Sequence, residues 1–139
     1  MKSLPHAKKK KLRKMSALKK DAWKVFSELV RREVADQFGM NRCVTCLQRV
    51  FWKELHAGHF IHGHSKATFM DERNVHPQCR RCNHFLSGNL LEYVEYMRKR
   101  YGQETIDELK ELSHKIWNPT RQQLEDLKVK YESKLKDLE

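Results

Sequence analysis

The sequence predicts a single α+β domain, mainly helical, with a short strand-and-loop segment between helices. Three observations carry that expectation. All four cysteines and six of the eight histidines fall between residues 40 and 88. Apolar residues recur at three- and four-residue spacings before and after that segment, the period of helices with one buried face. The length of 139 residues suits one core, since a chain of this size buries roughly 65–70% of its unfolded surface.

Residues 1–15, "MKSLPHAKKKKLRKM", lack apolar periodicity and read as a basic flexible arm; the single domain is expected over 16–139. From Ser16 the pattern changes. Leu18, Ala22, Val25, Phe26, Leu29 and Val30 define a helix over about 17–37, with Ser16 as N-cap and Gly39 as its left-handed terminator. The segment 40–88 contains "RVFWKEL", rich in strand formers, and "HGHSKATFMDERN", which reads as loop. A helix is expected to begin near Cys82 or Asn83 and to break at "SGN", residues 87–89. The segment 89–139 then reads as three helices: one ending at Gly102, "QETIDELKEL" as the next, and a last one opened by Thr120 and Gln123 at capping-box spacing. Leu124, Leu127, Tyr131, Leu135 and Leu138 form a stripe on that helix, which serves either core packing or a dimer seam.

Charge narrows the partner. The formal net charge is +11, with 12 Lys or Arg against 4 acids over residues 1–41, 10 against 5 over 42–102, and 7 against 9 over 103–139. An excess of this kind favours a polyanion, and nucleic acid first, because each phosphate neutralised releases counterions. Lys8, Lys9, Lys10, Lys11, Arg13 and Lys14 can form an arm that orders on DNA; the alternative is a solvated basic tail. Arg80 and Arg81 lie between cysteines and are expected to face phosphates. Trp23, Trp52 and Trp117 are expected in the core. No apolar run reaches the ~18 residues of a membrane span and no apolar stretch follows the basic start, so a reducing, cytoplasmic setting without a membrane partner is expected. No motif calls for a small-molecule cofactor.

Cys43-Val-Thr-Cys46 and Cys79-Arg-Arg-Cys82 are two CxxC pairs with 32 residues between them. Together they supply the tetrahedral sulfur shell of a structural Zn2+, with an iron–sulfur centre or adventitious pairing as the alternatives. A thioredoxin-like redox role requires a βαβ pattern that is missing here. A zinc with four sulfur ligands has no open position for catalysis, so the histidines between the pairs require a separate explanation.

The order of Cys pair, His59, Asn74, second Cys pair and Asn83 resembles the zinc-braced subgroup of HNH, or ββα-metal, endonucleases. The stretches "HAGHFI", "ERNVHPQCRRCN", "SGNLLEY" and "GQETIDELKEL" are similar, more narrowly, to the phage NinG (Rap) family of recombination nucleases, over about residues 17–139. The resemblance implies a ββα-metal core braced by zinc and flanked by an N-terminal helix and C-terminal helices. It implies a structure-selective endonuclease acting on branched double-stranded DNA, such as Holliday junctions and D-loops, and a homodimer for symmetric cutting. His59 is implied as general base, Asn74 as the residue that orients it, and Asn83 as ligand of a catalytic Mg2+ or Mn2+. One departure stands out: Gly58 occupies the position before the base where the superfamily carries a metal ligand. His56 is the first candidate to replace it, with His84, Asp71, water or phosphate oxygens as others. The bland readings are a turn role for Asn74, a helix cap for Asn83, and loop hydrogen bonding for His62, His64 and His76.

Overall fold

The computed structural model describes residues 11–139. Lys8, Lys9, Lys10 and most of the expected arm lie outside the described residues. About half of the described chain is helical, in the order α1 (Met15–Arg32), β1 (Met40–Arg42), β2 (Arg49–Phe51), β3 (His56–His59), β4 (Val75–Gln78), α2 (Leu90–Arg100), α3 (Gln103–Leu112) and α4 (Arg121–Lys136).

α1 differs from expectation at both ends. Ser16 lies inside the helix, and Lys14 precedes it without a side-chain cap. Gly39 does adopt a left-handed backbone, at φ +77°, but it sits seven residues beyond the last helical residue. The physical reason is Asp36, whose carboxylate accepts from the backbone N–H of Phe38 and Met40 and pairs with Arg49. Those bonds turn the chain back into β1 and leave no partners to extend the helix. Similarly, only Arg49–Phe51 of "RVFWKEL" is strand; Trp52–Glu54 tightens into a 3-10 turn.

The strands form two antiparallel ribbons, β1 with β2 and β3 with β4, the latter pairing His56 with Gln78 and Gly58 with His76. Two apolar clusters cover the faces of the second ribbon. Ala57 and Val75 meet Ala22, Phe26 and Leu29 of α1, with Phe69, Met70 and Tyr131 beside them. On the other side Phe60 joins Tyr93 and Met97 of α2 and Ile106 and Leu109 of α3.

The last helix begins as its sequence predicts. Thr120 Oγ1 accepts from the Gln123 backbone N–H at 3.1 Å, and Gln123 Oε1 accepts from the Thr120 N–H at 2.8 Å. Its apolar stripe packs on α1: Leu124 and Tyr131 are buried, Leu127 and Leu135 half-buried, and Leu138 alone is exposed. The stripe is therefore core rather than dimer seam.

The chain also breaks at 87–89 as expected, but what precedes the break is one wide turn, Arg81–Phe85, closed by Leu86 N–H to Arg81 C=O at 2.8 Å. A bond five residues back widens a helix by one residue per turn, a geometry common where side chains must be re-aimed. Asn83 lies inside this turn, with its N–H on the Cys79 carbonyl, and so is not a helix cap.

Candidate metal centre and histidine cleft

Cys43 and Cys46 lie at the tip of the β1–β2 hairpin. The tip closes on itself through Leu47 N–H to Cys43 C=O and Cys43 N–H to Gln48 C=O, with Leu47 at φ +65°. Cys79 and Cys82 lie between β4 and the wide turn, and Val44 N–H to Pro77 C=O ties the two halves together at 2.9 Å. All four Sγ atoms lie within 4.8 Å of one another, and Cys46 and Cys79 are 3.7 Å apart. Ligands about 2.3 Å from a tetrahedral zinc stand about 3.8 Å apart, so the cluster fits a structural metal ion such as zinc.

The thiols are not equivalent. Burial pushes Cys43 up, but hydrogen bonds from Thr45 Oγ1 and backbone N–H groups prevail and bring it down to about 6; burial pushes Cys46 up to about 12. A cation is the natural agent to hold all four as thiolates.

The histidine expected as base ends β3. Its ring stacks on Trp23 and Phe69, at centroid distances of 5.0 and 5.1 Å. His59 Nε2 lies 2.9 Å from the Phe69 carbonyl. A carbonyl only accepts, so the proton resides on Nε2 and the Nδ1 lone pair is left for chemistry. Burial lowers the His59 pKa, with His62 and His64 nearby acting in the same direction against the carbonyl bond. The ring is consequently neutral at pH 7.

Asn74 does not touch that ring. Fully buried, it donates from Nδ2 to the carbonyls of Ile61 and Thr68 and accepts at Oδ1 from the Ile61 N–H. It staples the two ends of the 60–74 loop, and Thr68 directly precedes the carbonyl that holds His59. The expected direct contact with His59 is absent, and Asn74 instead fixes the loop that carries the Phe69 carbonyl.

His56 and Asn83 do meet, with His56 Nδ1 and Asn83 Nδ2 3.0 Å apart. They do not meet His59. Alternation along β3 sends His56 and Gly58 to one face and Ala57 and His59 to the other. His56 and His59 therefore lie on opposite faces of the strand, and the other position on the His56 face, Gly58, has no side chain. A Cβ built there would lie 2.0 Å from Gln78 Oε1; the buried Gln78 side chain occupies the place of a residue-58 side chain. Gln78 Nε2 donates to Thr45 Oγ1 at 3.2 Å and to the Gly88 carbonyl at 2.9 Å, which links the cysteine cluster to the 87–89 turn. Of the other candidates for the ion, Asp71 is taken up by Arg73, and His84 is exposed on the wide turn.

His59 lines an open cleft of about 500 Å3. Phe60, Ile61, Leu90 and Val94 form its apolar lining; His62, Ser87, Lys110, Ser113 and His114 supply polar groups, and no carboxylate lines it. Lys110 and His114 escape sequence reasoning because they arrive from α3 and its end, with no local motif to mark them. His76, by contrast, is structural: its Nδ1 and Nε2 lie 2.9 and 2.8 Å from the hydroxyls of Tyr93 and Tyr101.

Of the basic residues, Arg80 and Arg81 are exposed beside the cluster, while Arg13 pairs with Asp21 at 3.0 Å. Lys11 and Lys14 are exposed ahead of and at the start of α1. Trp23 and Trp117 pack on the core as expected. Trp52 is half-buried beneath Arg31, Arg32 and Lys53, 5.0–5.7 Å from its ring. No helix among the described residues is long and apolar enough to cross a membrane.

Comparison with known proteins finds phage relatives of the chain. The chain is similar to protein ninG of Escherichia phage 933W, 34% identical over 134 residues that cover 94% of this chain and 65% of that protein. Protein ninG of Escherichia phage lambda is 32% identical over 94% of this chain and 64% of its own length. A 68-residue stretch is 43% identical to protein ninG of Enterobacteria phage H19B. The chain thus spans about 65% of the length of the curated relatives it matches. No solved structure matches it. The family model described as "Bacteriophage Lambda NinG protein" matches residues 2–139, and on that match the chain belongs to the NinG family.

Proposed function

We propose that this chain is a metal-dependent, structure-selective endonuclease of the HNH type that cuts branched double-stranded DNA formed in recombination. The observation that carries the reading is the state of His59, which is neutral, locked by the Phe69 carbonyl with Nδ1 unprotonated, and set in the wall of a cleft without acids. That is the equipment of a general base facing a phosphodiester. His59 Nδ1 takes a proton from water as the water oxygen bonds to phosphorus. The bond from phosphorus to the 3′ oxygen then breaks, leaving a 5′ phosphate and a 3′ hydroxyl protonated from solvent. His62, Lys110 and His114 offer donors to the non-bridging oxygens, on which charge accumulates.

His56 and Asn83 would hold the Mg2+ or Mn2+. The Asn83 amide and His56 Nδ1 are 3.0 Å apart, and with the amide turned so that Oδ1 faces His56 the two would be close enough to share one ion. An ion held by them would supply Lewis-acid stabilisation of the phosphoryl charge. Arg80, Arg81, Lys11 and Lys14, with Lys8, Lys9, Lys10 and Arg13 of the arm, would hold the backbone. A homodimer would supply the two sites that symmetric cutting needs, and light scattering with and without DNA tests it.

The deciding experiment incubates labelled four-way junction and matched linear duplex with magnesium, manganese or EDTA, comparing the protein with His59→Ala at equal zinc content. Junction-selective, metal-dependent cutting that disappears in the variant is expected. His56→Ala should raise the metal requirement and leave zinc content alone; an unchanged titration removes His56 from the site. A second reading, a non-catalytic zinc-bearing DNA adaptor, is favoured by one observation: β3 separates His56 and Asn83 from His59. Tight junction binding with no cutting under any cation would establish it.

A further inference from the structure

The wide turn and the start of α2 present four large apolar side chains to solvent: Phe85, Leu86, Leu90 and Leu91 are 67%, 42%, 57% and 83% exposed. Consecutive exposed apolar groups of this size call for an occupant. The segment that bears them is held rigidly. Ser87, Gly88 and Asn89 all adopt left-handed backbone, at φ 50°, 96° and 48°, a conformation that non-glycine residues keep only when their surroundings impose it. Here Gly88 N–H donates to the Cys82 carbonyl at 2.8 Å, Gln78 Nε2 donates to the Gly88 carbonyl at 2.9 Å, and Asn89 Nδ2 donates to Cys82 Sγ at 3.5 Å. The prow is therefore anchored on the cysteine cluster itself. Its inner side, Ser87, Gly88 and Leu90, forms one wall of the cleft that His59 lines.

We infer that this prow, residues 85–91, is a wedge that enters the branch point of a DNA substrate and stacks on bases that the branch leaves open, delivering the adjoining strand to the His59 cleft. The inference rests on the proposed action on branched DNA. Three features select this occupant. Residues 80–91 contain Arg80, Arg81 and His84 and no acid. The Arg80 guanidinium lies over the Phe85 ring, 5.5 Å from its centroid, pairing a phosphate binder with a stacking surface. A second copy of the chain, seated face to face on this patch, would bring Arg80, Arg81 and His84 near their own equivalents with Glu92, at the edge of the patch, as the one acid in the first turn of α2. Apolar side chains inserted between base steps open duplexes where stacking is weakest, as it is at a branch.

The test is equilibrium binding in EDTA, where cutting plays no part. A four-way junction and a linear duplex, each with 2-aminopurine at the corresponding position beside the branch, are titrated with the zinc-loaded protein and with Phe85→Ser/Leu91→Ser, both exposed sites. The protein should prefer the junction and raise 2-aminopurine fluorescence. The double variant should lose at least tenfold of that preference and the fluorescence rise, while duplex affinity stays within twofold and zinc content is unchanged. Phe85→Trp should retain both signals. An unchanged preference in the double variant overturns the wedge, as does a dimer in light scattering that becomes a monomer on substitution, which would assign the patch to self-association. Failure of the nuclease reading shows separately, as absence of His59-dependent cutting in the protein that still binds.

Discussion

His76 and His59 show how the same side chain is put to opposite uses by its immediate partners. The Tyr93 hydroxyl gives its one proton to the Gly58 carbonyl at 2.7 Å, so it must accept from His76 Nδ1–H, and Nε2 in turn accepts from Tyr101. The neutral ring is thus satisfied on both sides, and burial, with Arg100 adding to it, lowers its pKa to about 4. The folded state then binds fewer protons than the unfolded chain, whose histidine titrates near its ordinary value of about 6.5. Stability is full above that value and is lost as pH falls toward 4, by an amount on the order of 3 kcal/mol. Denaturant melts across that window should show the loss, and a His76→Gln variant, though less stable, should lack this part of the slope. If the two slopes coincide, His76 is not the group responsible. For His59 the lowered pKa has a kinetic consequence. A base must be unprotonated, so the acid limb of a junction-cleavage profile should lie below the ordinary imidazole range; a limb at or above that range would count against His59 as the base.

At the scale of elements, the β3–β4 ribbon depends on an exchange between Gly58 and Gln78. Because the Gln78 amide fills the space of a residue-58 side chain, Gly58→Ala should cost about 1–3 kcal/mol by overpacking. In a Gln78→Ala background the same change should cost less, a non-additivity that thermal or denaturant melts of the four proteins would reveal. Additive costs would mean that the contact is not what restricts position 58. Thr120→Ala should lower stability by about 1 kcal/mol through loss of the capping box, with little effect on zinc content. The start of α4 is legible in the sequence because its determinants, Thr120 and Gln123, are three residues apart. The cysteine cluster is equally legible, since CxxC spacing already directs two sulfurs at one point. The end of α1 is not, because Asp36 and its distant partner Arg49 decide it. Nor is the cleft: Lys110 and His114 join His59 and His62 only through the packing of α3 beneath Phe60. Asn74 could be singled out from its place in the motif, but its bond to the Thr68 carbonyl is seen only in the folded loop.

The whole molecule is two apolar clusters joined by a polar middle that has little core of its own. α1 and α4 pack on each other, with Phe26 and Tyr131 at 4.9 Å, and both helices are long enough, at 18 and 16 residues, to retain structure through that contact. The β1–β2 hairpin has no such support. Its buried side chains are Asn41, Cys43 and Thr45, and what fixes it is the cysteine cluster and the bond from Val44 N–H to Pro77. A four-cysteine zinc site contributes roughly 10–16 kcal/mol of apparent binding free energy, more than the total stability of most domains. Removing the metal with a strong chelator at neutral pH should therefore release the hairpin and the 79–89 turn first. Amide exchange should become fast over residues 40–51 and 79–89 while the centres of α1 and α4 keep protection, and the 87–89 backbone should leave its left-handed conformation once Cys82 is free. His59 would lose the Gly88 side of its cleft in the same event, so cleavage and junction preference should both disappear with the metal and return when zinc is restored. A chain stripped of metal that kept uniform protection and an unchanged melting temperature would show that the apolar clusters alone specify the fold, and that the cysteines serve something other than the brace.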